Sequence, residues 1–202
     1  MRRRVTHAGI ASALLLVLLP IASARASAQS VSRPAPAVAD DPLAARGWHL
    51  DLTVHNAFEV ANYNDNHEDM FGGFAGFTYG IREGLAVKVA TPLYYVWQRG
   101  TDGYLFGVTG GLRGRLVKKR RWSAFWEFEI GVSEADTYVP PRGTRFNYLA
   151  IGGGGMTVRI RPGLHLLGGL RFVHVSNNSL AGRSRNPDIE ALGPTIGVLY
   201  GF

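Results

Sequence analysis

The 202-residue sequence contains no cysteine, which excludes a disulfide framework and any thiolate-ligated metal centre. Past residue 28 it has no run of 18 consecutive apolar residues, so no transmembrane helix is expected. It lacks a Lys/Arg-rich face interleaved with aromatics. The formal charge of +7, to which the arginines of the first 28 residues contribute, is a general bias toward anionic partners, and no nucleic-acid partner is expected. The glycine run "IGGGG" at 151–155 has no Lys-Ser/Thr ending and no helix pattern behind it, which excludes a phosphate loop. No His/Asp/Glu cluster shows metal-ligand spacing, so neither a metal nor a cofactor is expected.

What is present begins with an export signal. Three arginines, an apolar run from about Ile10 to Ile21 and the small-residue stretch Ala26-Ser27-Ala28 match a cleavable secretory leader over residues 1–28. Residues 29–45, "QSVSRPAPAVADDPLAA", are Pro- and Ala-rich without periodicity and read as a flexible N-terminal extension. Residues 46–202 suit one domain.

From Trp48 onward the apolar pattern has a period of two. In "WSAFWEFEIGV" (122–132) the even positions carry Trp122, Ala124, Trp126, Phe128, Ile130 and Val132, while Ser123, Glu127 and Glu129 fall between them. Such alternation places the two sets on opposite faces of a strand. Eight runs of this kind lie at approximately 47–60, 69–80, 84–97, 103–117, 121–133, 144–161, 163–176 and 189–202. They are about twice the usual length of a soluble strand and match the span needed to cross a bilayer. Short spacers ("IREG", "KKR", "RPG") alternate with longer ones at 61–68, 98–102, 134–143 and 177–188. This is the signature of an all-β fold, an eight-stranded antiparallel outer-membrane β-barrel with both ends of the chain in the periplasm. Phe202 closes the last alternating strand and resembles the terminal aromatic of outer-membrane assembly signals. The parity points Asp51, Lys88, Arg113, Arg115, Glu127, Glu129, Arg159 and Arg171 inward, with Arg113 and Arg115 expected near Glu127 and Glu129. A soluble lipocalin-like barrel is the competing architecture, since alternation alone does not say which face is inside.

The stretch "RFVHVSNNSL" (171–180) places His174 and Ser176 on one strand face. That face is shared by Leu164, Leu166, Leu170 and Phe172, and in the last run Glu190 falls on the face of Leu192, Ile196 and Val198. A serine, a histidine and a carboxylate are therefore expected to face lipid near the extracellular ends of neighbouring strands. Polar groups in such a place are expensive and mark a functional site. A serine nucleophile, a histidine base and an orienting acid make an acyl-transfer set, and Asp188 competes with Glu190 for the acid. His49, His55, His67 and His165 have no comparable company and read as structural. The run "VKKRRW" (117–122) falls in a periplasmic turn, either solvated or facing inner-leaflet phosphates.

The stretch "HVSNNSL…NPDIEALGPTIGVLYGF" resembles the C-terminal signature of the PagL-type lipid A 3-O-deacylases, eight-stranded outer-membrane barrels carrying an H-x-S-N motif and a downstream Glu. The resemblance covers roughly the last thirty residues. It implies an ester hydrolase acting on lipid A, with His174 as base, Ser176 as nucleophile and Glu190 as acid. It also implies oxyanion or supporting roles for Asn177 and Asn186, with Ser179 standing where the family is expected to carry glycine. Arg183 and Arg185 are candidate ligands for the phosphates of lipid A. The implied partners are lipopolysaccharide and other outer-membrane lipids, with monomer and homodimer both open. A non-catalytic barrel of the OmpA or OmpX kind, acting in adhesion or membrane integrity, is the alternative.

Overall fold

The computed structural model describes residues 41–61 and 67–202; the leader at 1–28 and positions 29–40 of the extension lie outside the described residues. Eight strands form in chain order: β1 (Trp48–Glu59), β2 (Asp69–Arg82), β3 (Leu85–Trp97), β4 (Gly103–Lys118), β5 (Trp122–Val139), β6 (Thr144–Arg161), β7 (Leu164–Ser176) and β8 (Ile189–Gly201). Each pairs antiparallel with its neighbours in sequence, and β1 pairs with β8 to close the barrel. The links at 83–84, 119–121 and 162–163 are tight turns, and the longer connections sit at the other end. That asymmetry makes the turn end periplasmic and the loop end extracellular.

Side-chain alternation resolves the two faces. Phe77, Val89, Leu93, Phe106, Phe128, Ile130, Leu170 and Ile196 are exposed on the outside, an apolar surface far larger than a water-soluble protein carries. The inside is polar at mid-height. Asp51, Lys88, Arg113, Glu127, Glu129 and Arg171 are all buried. An apolar outer wall around buried charges belongs in a bilayer, and it excludes the lipocalin-like alternative, whose charges face water.

The interior is filled in three layers. At the extracellular end lie apolar residues including Met70, Val96, Leu105, Leu149, Ile151, Val173, Val175 and Ile189. At the periplasmic end Leu43 packs with Ala86, Phe125, Leu167 and Leu199. Between them three cations meet three carboxylates. The Arg113 guanidinium donates to Asp51 and Glu127, both at 2.7 Å, Arg171 donates to Glu127 and Thr53, and Lys88 donates to Glu129 at 2.7 Å. Phe74 and Phe125 present ring faces to Arg171 and Arg113 at 4.6 and 4.9 Å, adding cation–π attraction where water is absent.

Four sequence expectations are corrected. Arg115 does not reach the carboxylates of β5: the antiparallel register sets Arg113 opposite Glu127 and Arg115 opposite Phe125. A bulge follows, and Arg115 turns to Asp41 and Glu83 at the periplasmic rim. Arg159 is half-buried near the same rim rather than in the interior network. The segment 134–143 is mostly not a loop, because β5 continues to Val139 and only 140–143 turn back into β6. Finally, 41–45, the end of the segment read as flexible, is tied down. The Leu43 carbonyl accepts from the Gly84 amide and the Arg46 amide donates to Gly80. Asp41 accepts from Arg115 and pairs with Lys118. Although burial opposes ionisation, hydrogen bonds from Lys118 and the Leu43 amide, together with the neighbouring cations, hold the Asp41 carboxyl below the usual carboxylate range.

Removing one partner of the interior network leaves another charge stranded in a dry site. Glu127→Ala is therefore expected to lose about 3–5 kcal/mol in urea unfolding of the barrel in micelles. Glu134→Ala, which removes the exposed pair with Arg145, is expected to lose less than about 1 kcal/mol. Equal losses in the two variants would contradict a stabilising role for the interior network.

Candidate functional site

The site lies on the outer wall where β7 and β8 reach the extracellular rim. The ladder register sets His174 directly opposite Glu190 across β7 and β8, and opposite Ala150 across β6 and β7. Val173, Val175, Ile189 and Ala191 point into the core and are fully buried. Their burial fixes His174, Ser176 and Glu190 on the outside, as the parity predicts, because a one-residue slip would exchange the faces.

Ser176 Oγ is 2.9 Å from His174 Nε2. Glu190 Oε1 lies 3.7 Å from Nδ1, on the other side of the ring. The order serine, imidazole, carboxylate is that of an acyl-transfer triad, with the carboxylate somewhat farther than a direct hydrogen bond. His174 and Glu190 are partly exposed, while Ser176 is nearly buried.

The connection 177–188 packs over the dyad. Asn177 is buried at its base; its amide donates to Asn186 Oδ1 at 3.1 Å and its side-chain amide donates to the Arg185 carbonyl. The backbone amide and one side-chain N–H of Asn177 thus hold the loop. The bond to Asn186 Oδ1 fixes the orientation of that carboxamide and leaves its NH₂ as the donor still to be placed. Of the two asparagines singled out in the sequence, Asn177 holds the loop and Asn186 is the residue it holds. Asn178 and Ser179 have φ of 50° and 62°, the left-handed region that favours glycine, which agrees with glycine being expected at 179. Ser179 itself is exposed on this turn. Arg183 and Arg185 are exposed on a single 3₁₀ turn (Arg183–Arg185), with Arg185 stacked over Tyr138 at 5.7 Å and donating to the Gly143 carbonyl.

Sequence reasoning offered Asp188 as a rival to Glu190 and missed that both stand beside His174 at once, with Glu68 near them. One donor atom each from His174, Asp188 and Glu190 lies within 4.8 Å of the others, which corrects the expectation that no cluster has metal-ligand geometry. The loop folds Asp188 back onto a strand pair, and spacing in sequence does not reveal that. A cation held by all three would occupy the atoms that orient the imidazole. Behind Asp188 the Glu68 amide donates to Glu59 Oε2 at 2.9 Å, and the Glu68 carboxyl is fully buried. Burial, with the charges of Glu59 and Asp188, pushes it up to about 7.

The sign of that shift gives a test. Between the ordinary glutamate range and pH ~7, the folded protein keeps the Glu68 proton while the unfolded chain loses it, so stability falls as pH rises through this window. Thermal unfolding in micelles at about pH 5 and about pH 8 is expected to show a larger loss for the wild-type barrel than for Glu68→Gln. Identical pH dependence in the two would rule out the neutral Glu68.

No protein-family model matches the sequence, and no curated protein sequence does. Solved structures match by fold. Neisserial surface protein A superposes with a TM-score of 0.60 at 12% identity, covering 77% of this chain and 97% of that one. The outer membrane protein OprG from Pseudomonas aeruginosa superposes at 0.50 and 11% identity, covering 81% and 99%. The outer membrane enzyme PagL superposes at 0.45 and 14% identity, covering 76% and 98%, a likeness too weak to bear on the chemistry. Together with the closed antiparallel sheet, the first two likenesses establish the eight-stranded barrel fold of the bacterial outer membrane and nothing finer.

Proposed function

We propose that this barrel is an outer-membrane esterase that removes an ester-linked acyl chain from lipid A, in the manner of the PagL-type deacylases its C-terminal motif resembles. The observation that carries the reading is the Ser176–His174 contact of 2.9 Å with Glu190 beyond the ring, on a wall whose outward residues are predominantly apolar. An isolated polar trio on a lipid-facing surface costs free energy without stabilising the barrel.

In this reading His174, with its Nδ1 proton directed toward Glu190, accepts the Ser176 hydroxyl proton at Nε2 as Oγ attacks the ester carbonyl. The Asn186 carboxamide donates to the developing oxyanion. His174 then returns the proton to the sugar hydroxyl that leaves, and a water activated by the same nitrogen hydrolyses the acyl-serine. The acyl chain has room beside the nucleophile. Ala150 stands opposite His174, and Gly152, opposite Phe172, has open space where a side chain would project. Arg183 and Arg185 lie on the loop above, within the headgroup layer, where guanidinium groups suit phosphate.

The test is mass spectrometry of lipid A from cells expressing the wild-type barrel and its variants. The wild type is expected to remove one hydroxyacyl group. Ser176→Ala should reduce the rate by about 10⁵-fold or more, and Glu190→Ala by a smaller factor, on the order of 10² to 10⁴. Asn186→Ala should cost about 10²- to 10³-fold. Lipid A left intact by a folded wild-type barrel, both in cells and in detergent, would favour the non-catalytic reading. Cleavage surviving in Ser176→Ala would move the nucleophile, with Ser179 next to be tried.

A further inference from the structure

At the opposite end of the barrel, far from the triad, a cavity of about 270 Å³ opens at the periplasmic rim beside the 119–121 turn. Its lining includes Lys118, Lys119, Arg120, Arg121 and Arg159 against a single carboxylate, Asp41. That carboxylate is already engaged, by Arg115 at 2.6 Å and by Lys118 at 2.6 Å. Among the described residues, no carboxylate pairs with Lys119, Arg120 or Arg121. Three cations thus border a cavity with no carboxylate of the described residues paired to them.

Two further observations define the occupant. Ser123 and Thr157, both buried, line the cavity with hydroxyls 2.8 Å apart, and hydroxyls with guanidinium and ammonium groups are the donor set of a phosphate site. The same strands carry exposed apolar side chains on the adjoining outer wall: Leu116 and Val117 on β4, Trp122 on β5, Val158 and Ile160 on β6. Hydrocarbon-facing surface therefore ends at the basic rim, as a phospholipid's tails end at its phosphate. The cavity is slightly below the range of small-molecule pockets, room for a headgroup and not for a whole lipid.

We propose that this cavity binds the headgroup phosphate of an anionic glycerophospholipid of the inner leaflet, with Lys119, Arg120 and Arg121 as its cationic ligands and the hydroxyl of the Ser123–Thr157 pair that is not donating to the other as a further donor. The tails lie along Leu116, Trp122, Val158 and Ile160. Bound lipid then sets the depth of the periplasmic rim in the membrane, independently of any catalysis at the other end.

The test is native mass spectrometry of the full barrel released from zwitterionic micelles containing phosphatidylglycerol, diacylglycerol of the same chains, or inorganic phosphate. The wild type is expected to retain phosphatidylglycerol well above diacylglycerol, and retention should fall as salt rises. K119Q/R120Q/R121Q should weaken retention by about a hundredfold, at roughly fivefold per basic residue near an anionic surface. R99Q/R142Q, in connections at the opposite end of the barrel, should leave retention unchanged. Equal retention of phosphatidylglycerol and diacylglycerol, retention indifferent to salt, or a folded triple variant that retains lipid like the wild type would each overturn the proposal. Inorganic phosphate displacing the lipid at equal concentration would overturn the lipid assignment and leave a site for soluble anions. If the triple variant does not fold, the lipid comparison and the salt dependence of the wild type decide the matter.

Discussion

Every backbone amide and carbonyl at membrane depth must be hydrogen-bonded within the protein, because hydrocarbon offers no partner. The rest of the structure follows from that constraint. It forces β1 onto β8, and a closed ladder in turn fixes which residues face lipid and which face the interior. Apolar side chains at alternate positions take the wall, so the charges between them must go inside, where three cations and three carboxylates neutralise one another. The same ladder that pairs the backbone also sets His174 opposite Glu190. The geometry of the candidate site is thus inherited from register rather than from a flexible loop.

The loops add what register cannot. The 177–188 connection is held by bonds from Asn177 to Asn186 and to the Arg185 carbonyl, and includes two left-handed residues in sequence, Asn178 and Ser179. It also carries Asp188 into the neighbourhood of the imidazole. The local field at the triad thus comes from both the barrel and the loop, and the buried Glu68 behind it is part of that field.

Much of this was legible in the sequence, for a physical reason. Strand length, period-two alternation and the unequal spacers report directly on bilayer thickness, sheet pleat and topology, and they placed β1 to β8 with small errors at their ends. The outward face of His174, Ser176 and Glu190 was legible by the same parity. Contacts between residues distant in sequence were not. Nothing in "ADDPLAA" announces that Leu43 fills the space among Ala86, Phe125, Leu167 and Leu199, since a short apolar residue in a Pro/Ala-rich segment looks like linker. Arg115 was sent to the wrong partners because parity gives a face and not a height: its register partner is Phe125. The extension of β5 to Val139 was hidden by "SEADTYV", whose polar residues suit a strand standing clear of the membrane as well as a loop.

The packed interior has a consequence for the supply of water. An apolar layer, an ion layer and a second apolar layer occupy the interior from one rim to the other. The proposed hydrolysis at Ser176 would consume a water molecule for each acyl chain released, on a wall that is mostly apolar. That water would reach the serine from the headgroup side, past the loop that carries Asn186 and Asp188. The nearly buried serine and the half-exposed histidine would then stand at a boundary between two solvents, with the ester on the lipid side and its second reactant above.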